Sequence, residues 1–240
     1  MTHVLVPVEI LEGETVSAGL IDMLGTADVT VLGYHEIPEQ TPPDQARAQF
    51  EERAVSALED IVEEFEAAGG DADHRLVFTH KKNQSIQRIA GELDTDAFAI
   101  TGATGEVERL LVTISGDVAV QRILQFVTDI IGNRDIGVTL LLAVKKQSDD
   151  ATELLERAGE VLSAAGIDVS TKQVEGRPFD QIVEAAPEHD VVVMGEQAPS
   201  LTSFLFGDEA ERVAAASVGP VLVVRRRPPE ADSDGSTEEE

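Results

Sequence analysis

The sequence contains no cysteine and no tryptophan, and aromatic residues make up only 4% of its 240 residues. Without cysteine the chain can form no disulfide, no thiolate metal site and no cysteine nucleophile. No apolar run approaches the roughly 20 residues that a helix needs to span a bilayer. The first residues, MTHVLVPVEI, lack a basic region and lead directly into an apolar run, so we expect no signal peptide. These absences predict a cytoplasmic protein without membrane insertion.

Basic residues are also scarce. Lysine and arginine together number 18 against 46 acidic residues, which gives a formal net charge of −28. Such a surface repels nucleic acids and anionic lipids at low salt, so we expect no nucleic-acid partner. The apolar content of 42% is sufficient for a folded core, so disorder does not explain the charge. The composition favours an extreme halophile, because molar salt shortens the screening length to about 3 Å. An ordinary acidic protein is the alternative.

Short apolar runs alternate with helical patterns along most of the chain. Strands are predicted over residues 4–8, 29–34, 75–79, 97–101, 110–114, 138–144, 169–174, 191–194 and 221–224. Helices are predicted over residues 15–24, 44–68, 85–93, 118–131, 151–165, 178–186 and 209–217. Continuous apolar runs are typical of strands that are buried on both faces. Their alternation with helices predicts an α/β fold with a doubly wound parallel sheet.

The pattern of elements begins twice. The run LLVTI at Leu110 matches VLVPV at Val4, and VTLLLAV over 138–144 matches VTVLGYH over 29–35. We therefore predict two units in tandem, over residues 1–106 and 107–227. The first unit lacks its last loop, helix and strand and passes directly into the second. Residues 228–240 are rich in acid, Pro, Ser and Gly without apolar residues, which predicts a disordered tail.

A second interpretation of the repeat stays open at this point. Gly102 and Gly105, followed after ten residues by Gly116 and Asp117, could form a loop of a complete first unit. Residues 117–131 and 138–144 would then be the last helix and strand of that unit. This interpretation places the β-rich residues LLVTI in a loop, so we prefer the first one.

The stretch 190–227 reads DVVVMGEQAPSLTSFLFGDEAERVAAASVGPVLVVRRR, a predicted strand, glycine-containing loop, helix and parallel strand with a right-handed crossover. Its segments GDEAERV and GPVLVVR resemble the carboxyl-terminal motif of the universal stress protein family. The resemblance to tandem members of that family covers residues 3–227. It implies a non-enzymatic stress-response or regulatory protein that acts through protein contacts, with its units packed as an intramolecular pseudo-dimer. The alternative that it implies is an adenine-nucleotide sensor that binds ATP or AMP.

In the family, a loop of the form G-x-x-G, nine residues and G-(S/T) holds the phosphates of ATP. In this sequence Gly195 and Gly207 match that pattern, but Ala198 replaces the second glycine. Eight residues, not nine, separate Ala198 from Gly207, and Asp208 replaces the hydroxyl residue. The resemblance therefore implies a nucleotide site that is altered. In the competing interpretation, the two matching glycines only shape the turn and Asp208 caps the following helix.

By the same resemblance, Ser115 and Val144 complete the nucleotide site in the second unit. Ser115 stands where the family has an aspartate that helps to hold adenosine, and in the first unit Glu9 stands there. A carboxylate such as Asp208 or Glu196 at about 4 Å from a phosphate costs about 4 kcal/mol at an effective dielectric of about 20. We expect no cofactor, with ATP as the open alternative. We also expect no catalytic residue, and no metal site because no two histidines have a metal-binding helical spacing. The protein partner is unknown, and a homodimer stays open.

Overall fold

The structure is a computed structural model that describes residues 2–114, 120–144, 146, 148–196 and 219–225. The strands of this part are β1 (His3–Glu9), β2 (Asp28–Glu36), β3 (Asp71–Thr79), β4 (Ala97–Ile100), β5 (Arg109–Ile114), β6 (Gly137–Val144), β7 (Val169–Glu175), β8 (Val191–Gly195) and β9 (Val221–Val224). Its helices are α1 (Ala18–Leu24), α2 (Pro43–Ala67), α3 (Lys82–Glu92), α4 (Val120–Ile131), α5 (Asp149–Ala164) and α6 (Pro178–Ala185), and a short 3₁₀ helix follows over Ala186–Glu188. The predicted helix over 209–217 and the predicted tail over 228–240 lie outside the described residues.

All nine of these strands form one sheet in the order β3-β2-β1-β4-β9-β8-β5-β6-β7. Neighbouring strands are parallel except for the pair β4 and β9, which is antiparallel. Strands β1–β4, here called the first unit, have the order 3-2-1-4, and β5–β8 repeat that order in the second unit, which also contains β9. The predicted α/β fold with a doubly wound parallel sheet is confirmed.

Matched hydrogen bonds occur between the first and fourth strands of each unit. The Asp96 carboxylate accepts a hydrogen bond from the backbone N–H of His3 at 3.0 Å, and the Asp190 carboxylate accepts one from Arg109 at 2.8 Å. In return the backbone N–H of Asp96 donates to the His3 carbonyl at 2.8 Å, and that of Asp190 donates to the Arg109 carbonyl at 2.9 Å. The same residue type thus aligns the first and fourth strands of both units.

Strand β9 lies at the junction between the units. It is parallel to β8 of its own unit and antiparallel to β4 of the first unit, with Ile100 opposite Val221 and Ala97 opposite Val224. All residues of β9 are buried. An unpaired strand edge is a site for aggregation, and β9 covers the edge that β4 would otherwise expose. Because the direction reverses here, the strands of the two units have their carboxyl ends at opposite edges of the sheet.

The segment LLVTI lies in β5, which pairs with β6 and β8. If β6 were the last strand of the first unit, it would lie beside β4. It lies instead between β5 and β7. The interpretation in which LLVTI forms a loop is therefore not what the structure shows. The boundaries 1–106, 107–227 and 228–240 themselves stay predictions.

Helices cover both faces of the sheet. Alternate residues of β1 point to opposite faces: Val4, Val6 and Val8 belong to the larger core and Leu5 belongs to the smaller one. The larger core includes buried residues of α1, α2, α4 and α5, whereas the smaller core includes those of α3 and α6. Burial on both faces explains why the central strands have continuous apolar sequences.

A single arginine connects helices of the two units. Arg134 follows α4, and its guanidinium donates to the carbonyl oxygens of Asp22 at 2.6 Å and Met23 at 2.9 Å, near the end of α1. It also donates to the carbonyl oxygens of Ile130 and Ile131 at the end of α4, at 2.6 and 3.3 Å. The last carbonyls of a helix lack partners within the helix and carry negative partial charge. Arg134 therefore caps one helix from each unit.

Within the part of the chain that the structure describes, no helix combines the length and the apolar composition that a membrane span requires.

Candidate functional site

The carboxyl ends of β5, β6 and β8 lie together at one edge of the second unit. Two of the predicted site residues are described there: the half-buried Val144 ends β6, and the buried Gly195 ends β8. They flank β5, since β6 and β8 are its two neighbours. The structure thus places these two residues at one edge of the sheet, the kind of edge where ligands bind in open α/β sheets, and their role in a site stays a prediction. The other predicted site residues lie outside the described residues, and their roles stay predictions: Ser115, Ala198, Gly207 and Asp208.

Backbone hydrogen bonds continue past the strand ends at this edge. The N–H of Gly176 donates to the Val144 carbonyl at 3.0 Å, and the N–H of Glu196 donates to the Val224 carbonyl at 2.8 Å. Gly195 pairs with Val224, so the backbone at the end of β8 is held between β5 and β9. Glu175, opposite Val144, ends β7 with a carboxylate. The backbone at this edge is thus well fixed. Its described charged residues are of both signs, since Glu175 and Glu196 are acidic and Lys146 and Arg225, which follow β6 and β9, are basic.

The equivalent edge of the first unit is occupied by the protein's own side chains. One oxygen of the Glu14 carboxylate accepts a hydrogen bond from the backbone N–H of Glu9, at the end of β1, at 2.6 Å. The other oxygen accepts one from the hydroxyl of Thr101, directly after β4. Glu14 therefore joins the ends of two neighbouring strands. Glu9 was assigned to this edge from the sequence, but Glu14 and Thr101 were missed, because they are 87 residues apart and no local pattern relates them.

Tyr34 lies among these carboxylates near the end of β2. It is only 6% exposed. Burial raises the pKa of its phenol well above the usual range, and the charges of Glu14, Glu9 and Glu36 raise that pKa further. The ammonium of Lys82 lies 5.5 Å from the centre of the Tyr34 ring, within the range of a cation–π interaction. The edge of the first unit is therefore acidic and well packed.

The region over residues 106–225 matches the sequence model of the universal stress protein family, and this is half of the chain. The chain belongs to the universal stress protein family. Over 81 residues it is 33% identical to a universal stress protein of Methanocaldococcus jannaschii, a match that covers 32% of this chain and 48% of that protein. The chain thus spans about half the length of this relative.

Two solved structures resemble almost the whole chain. A universal stress protein from Archaeoglobus fulgidus is 18% identical and superposes with a TM-score of 0.67, over 93% of this chain and 96% of that one. The cytoplasmic domain of a prokaryotic cation chloride cotransporter is 11% identical and has a TM-score of 0.50, over 92% and 94% of the two chains. At these identities the likeness shows the fold alone.

A polar cleft of about 320 Å³ lies where the two units of this universal stress protein meet. Its carboxylates are paired with neighbours. Asp96 contacts the guanidinium of Arg122 at 3.5 Å, and Asp129 accepts hydrogen bonds from Thr2 and Gln125, each at 2.7 Å. Because Thr2 and Asp96, which directly precede β1 and β4, contact residues of α4, we assign the cleft a structural role between the units. Within the described part of the chain, no group of three or more His, Asp or Glu residues could hold a metal ion.

Proposed function

We propose that this universal stress protein is a regulatory protein of the stress response that acts through contacts with another protein and is not an enzyme. The observation that carries the proposal is the occupied edge of the first unit. There Glu14 fills the space between the ends of β1 and β4 with the protein's own carboxylate. The same strands in both units form one continuous sheet, which supports the proposal that the chain acts as an intramolecular pseudo-dimer.

We further propose that the protein works in the cytoplasm, with an unidentified protein as its partner and without nucleic acid or membrane insertion. The net charge of −28 supports this, because an acidic surface repels phosphate backbones and anionic lipids. A homodimer is compatible with the proposal.

Nucleotide binding is the second candidate function, and one observation favours it. Val144 and Gly195 lie at the carboxyl edge of the second unit, within the region that matches the family, and such edges are where ligands bind in open α/β sheets. The candidate site comprises these two residues together with Ser115, Ala198, Gly207 and Asp208. We propose that ATP binds there at millimolar strength or not at all, because Asp208 places a negative charge in the family's phosphate-binding loop.

A titration of the full chain with ATP, in molar KCl with Mg²⁺, tests this site. The double variant Asp208→Ser with Ala198→Gly removes that charge and allows closer approach of the backbone. We expect it to bind ATP more tightly by about 2 kcal/mol, since one charge contact is of that order. Micromolar binding by the wild type, abolished by Gly195→Trp, would instead establish the protein as a nucleotide sensor.

A genetic experiment separates the two candidates directly. In a strain that lacks the gene, wild-type protein and the Gly195→Trp variant are compared for survival under stress. A role through protein contacts predicts equal rescue by both proteins, provided that the variant melts at the same temperature as the wild type. Loss of rescue by this folded variant would favour the nucleotide sensor.

We propose, finally, that the acidic surface is an adaptation to high salt. With a net charge of −28, repulsion between surface carboxylates destabilises the folded chain in dilute buffer. Added KCl screens this repulsion, so the midpoint of thermal unfolding is expected to rise strongly between dilute and molar KCl. An unchanged midpoint would remove the argument for a halophilic origin.

A further inference from the structure

The edge of the first unit contains two hydrogen-bond donors that face one acceptor group. The backbone N–H of Glu9 and the hydroxyl of Thr101 come from the ends of two neighbouring parallel strands. Donors that converge at the carboxyl ends of parallel strands are typical of a site for an anion. Here both donors bind the two oxygens of a single carboxylate, that of Glu14. The hydrogen bonds that an external anion would use are therefore already made.

The backbone closes the same edge from a second side. A side-chain carbon placed on Gly19, in α1, would lie 1.7 Å from the carbonyl oxygen of Gly105 and 3.0 Å from the methyl carbon of Thr104. The connection that follows β4 thus runs in direct contact with α1. No atom of a ligand fits between the two at this point.

The charges around Glu14 also oppose the binding of an external anion. Glu9 and Glu36 lie close enough to Tyr34 to raise the pKa of its phenol, together with Glu14. Lys82 contributes a positive charge beside the Tyr34 ring, but the carboxylates outnumber it. An anion from solution would meet repulsion here, whereas the carboxylate of Glu14 is covalently attached and incurs no entropy loss of association.

From these observations we infer that Glu14 is an internal ligand, which occupies an anion site in the first unit and closes that unit to external anions. The chain then offers no ligand site at this edge, whatever the second unit binds. The inference does not depend on the proposed nucleotide site, because its evidence lies entirely in the first unit. It predicts that removal of the Glu14 side chain leaves a site that a small carboxylate can fill.

Chemical rescue of the full-length Glu14→Ala variant with acetate tests the inference. We expect the variant to unfold at a midpoint lower by about 5 °C, because two hydrogen bonds to a charged group are lost. With wild type in the same salt as the reference, sodium acetate should restore about half of this loss or more, whereas sodium chloride at the same ionic strength should leave the difference from wild type unchanged. Glu12→Ala, which removes the same charge from an exposed position of the same loop, serves as the control and should show neither effect.

A second variant keeps the test decisive if Glu14→Ala does not fold. Glu14→Gln retains the shape of the side chain and fills the site, so we expect it to fold and to respond equally to acetate and chloride. A stronger response to acetate than to chloride in Glu14→Gln would overturn the inference. It would also be overturned if Glu14→Ala behaves like Glu12→Ala, or if acetate stabilises it no more than chloride does.

Discussion

The two units have the same order of their first four strands, but the chain takes a different path after the fourth strand of each. In the first unit, the chain leaves β4 through Thr101 and continues into β5 of the other unit. In the second unit, the chain leaves β8 at Gly195 and returns as β9. The path of the chain after the fourth strand therefore differs between the two units. Where the chain does not return, a carboxylate from the neighbouring loop fills the edge.

The comparison also shows how one strand can serve two units. Strand β9 belongs to the second unit by its parallel pairing with β8, and it completes the first by its antiparallel pairing with β4. The first unit therefore has no bare edge at β4, although the neighbouring strand belongs to the second unit. In both units the fourth strand has a neighbour on each side: β4 lies between β1 and β9, and β8 lies between β9 and β5.

Removal of the second unit is the change that we expect to have the largest effect on the first unit. A fragment of residues 1–106 lacks β9, so that β4 has an unpaired edge that can pair with other molecules. We expect the fragment to aggregate or to fold poorly, as measured by size-exclusion chromatography and thermal melting. A stable monomer that melts cooperatively would show that the first unit does not need the second.

The contact between α1 and the connection after β4 is expected to show the next largest effect. The variant Gly19→Ala forces a methyl group to within 1.7 Å of a backbone oxygen, and such overpacking destabilises by about 3 kcal/mol. Gly105→Ala is the matched control, because a side-chain carbon there meets nothing within 4 Å. Denaturant unfolding measures the free energy of unfolding of both variants. Equal stability of the two variants would contradict the close approach in the first unit.

Arg134 tests whether the units are also joined through their helices. Replacement by alanine removes its hydrogen bonds to the ends of α1 and α4, with an expected loss of about 2 kcal/mol in the free energy of unfolding. Arg157→Ala is the control, because Arg157 is 61% exposed in a surface ion pair with Glu153 that contributes about 0.5 kcal/mol at most. If both variants lose the same stability, the helix contact is not what joins the units.

The smallest expected effect concerns the titration of Tyr34, which reports on the edge of the first unit alone. The chain has one tyrosine, and burial together with three carboxylates raises the pKa of Tyr34. In the folded protein its phenol should stay protonated at pH values where an ordinary tyrosine, with a pKa of about 10, ionises. Because the unfolded state loses this proton first, the free energy of unfolding should fall as the pH rises above about 10. Tyrosinate absorbance measures this, and Glu14→Gln should lower the pKa. Ionisation at the ordinary pH in the folded state would contradict the acidic environment.

Sequence patterns predicted the described strands well because most of them are buried on both faces. The run predicted over 138–144 is β6 (Gly137–Val144) almost to the residue. The prediction was poorer for β3, which starts at Asp71 and not at residue 75. As an edge strand it is partly exposed, so its first half, DADH, has no apolar run. Helix α3 likewise starts at Lys82 and not at residue 85, because its first turn is polar.

The contacts that distinguish the two edges could not be predicted in this way. Glu14 and Thr101 are polar residues in connecting segments, which in a sequence have the same appearance as solvated loop residues. Their contact depends on the pairing of β1 with β4, and the pairing of β4 with β9 depends on the whole second unit. Arg134 is similar, since its partners on α1 are more than 100 residues away. Local periodicity contains no information about such pairs.

The shared strand β9 has a consequence for the order of events during synthesis. Strand β4 ends at Ile100, and its neighbour β9 begins at Val221, so the ribosome must add the intervening residues before the pair can form. At about 5 to 20 residues per second, this delay is about 6 to 25 s. During that time the first unit has an exposed strand edge, and closing so long a segment is slow. The pair of β4 and β9 can therefore form only late in synthesis, and β4 has an open edge until β9 has been made.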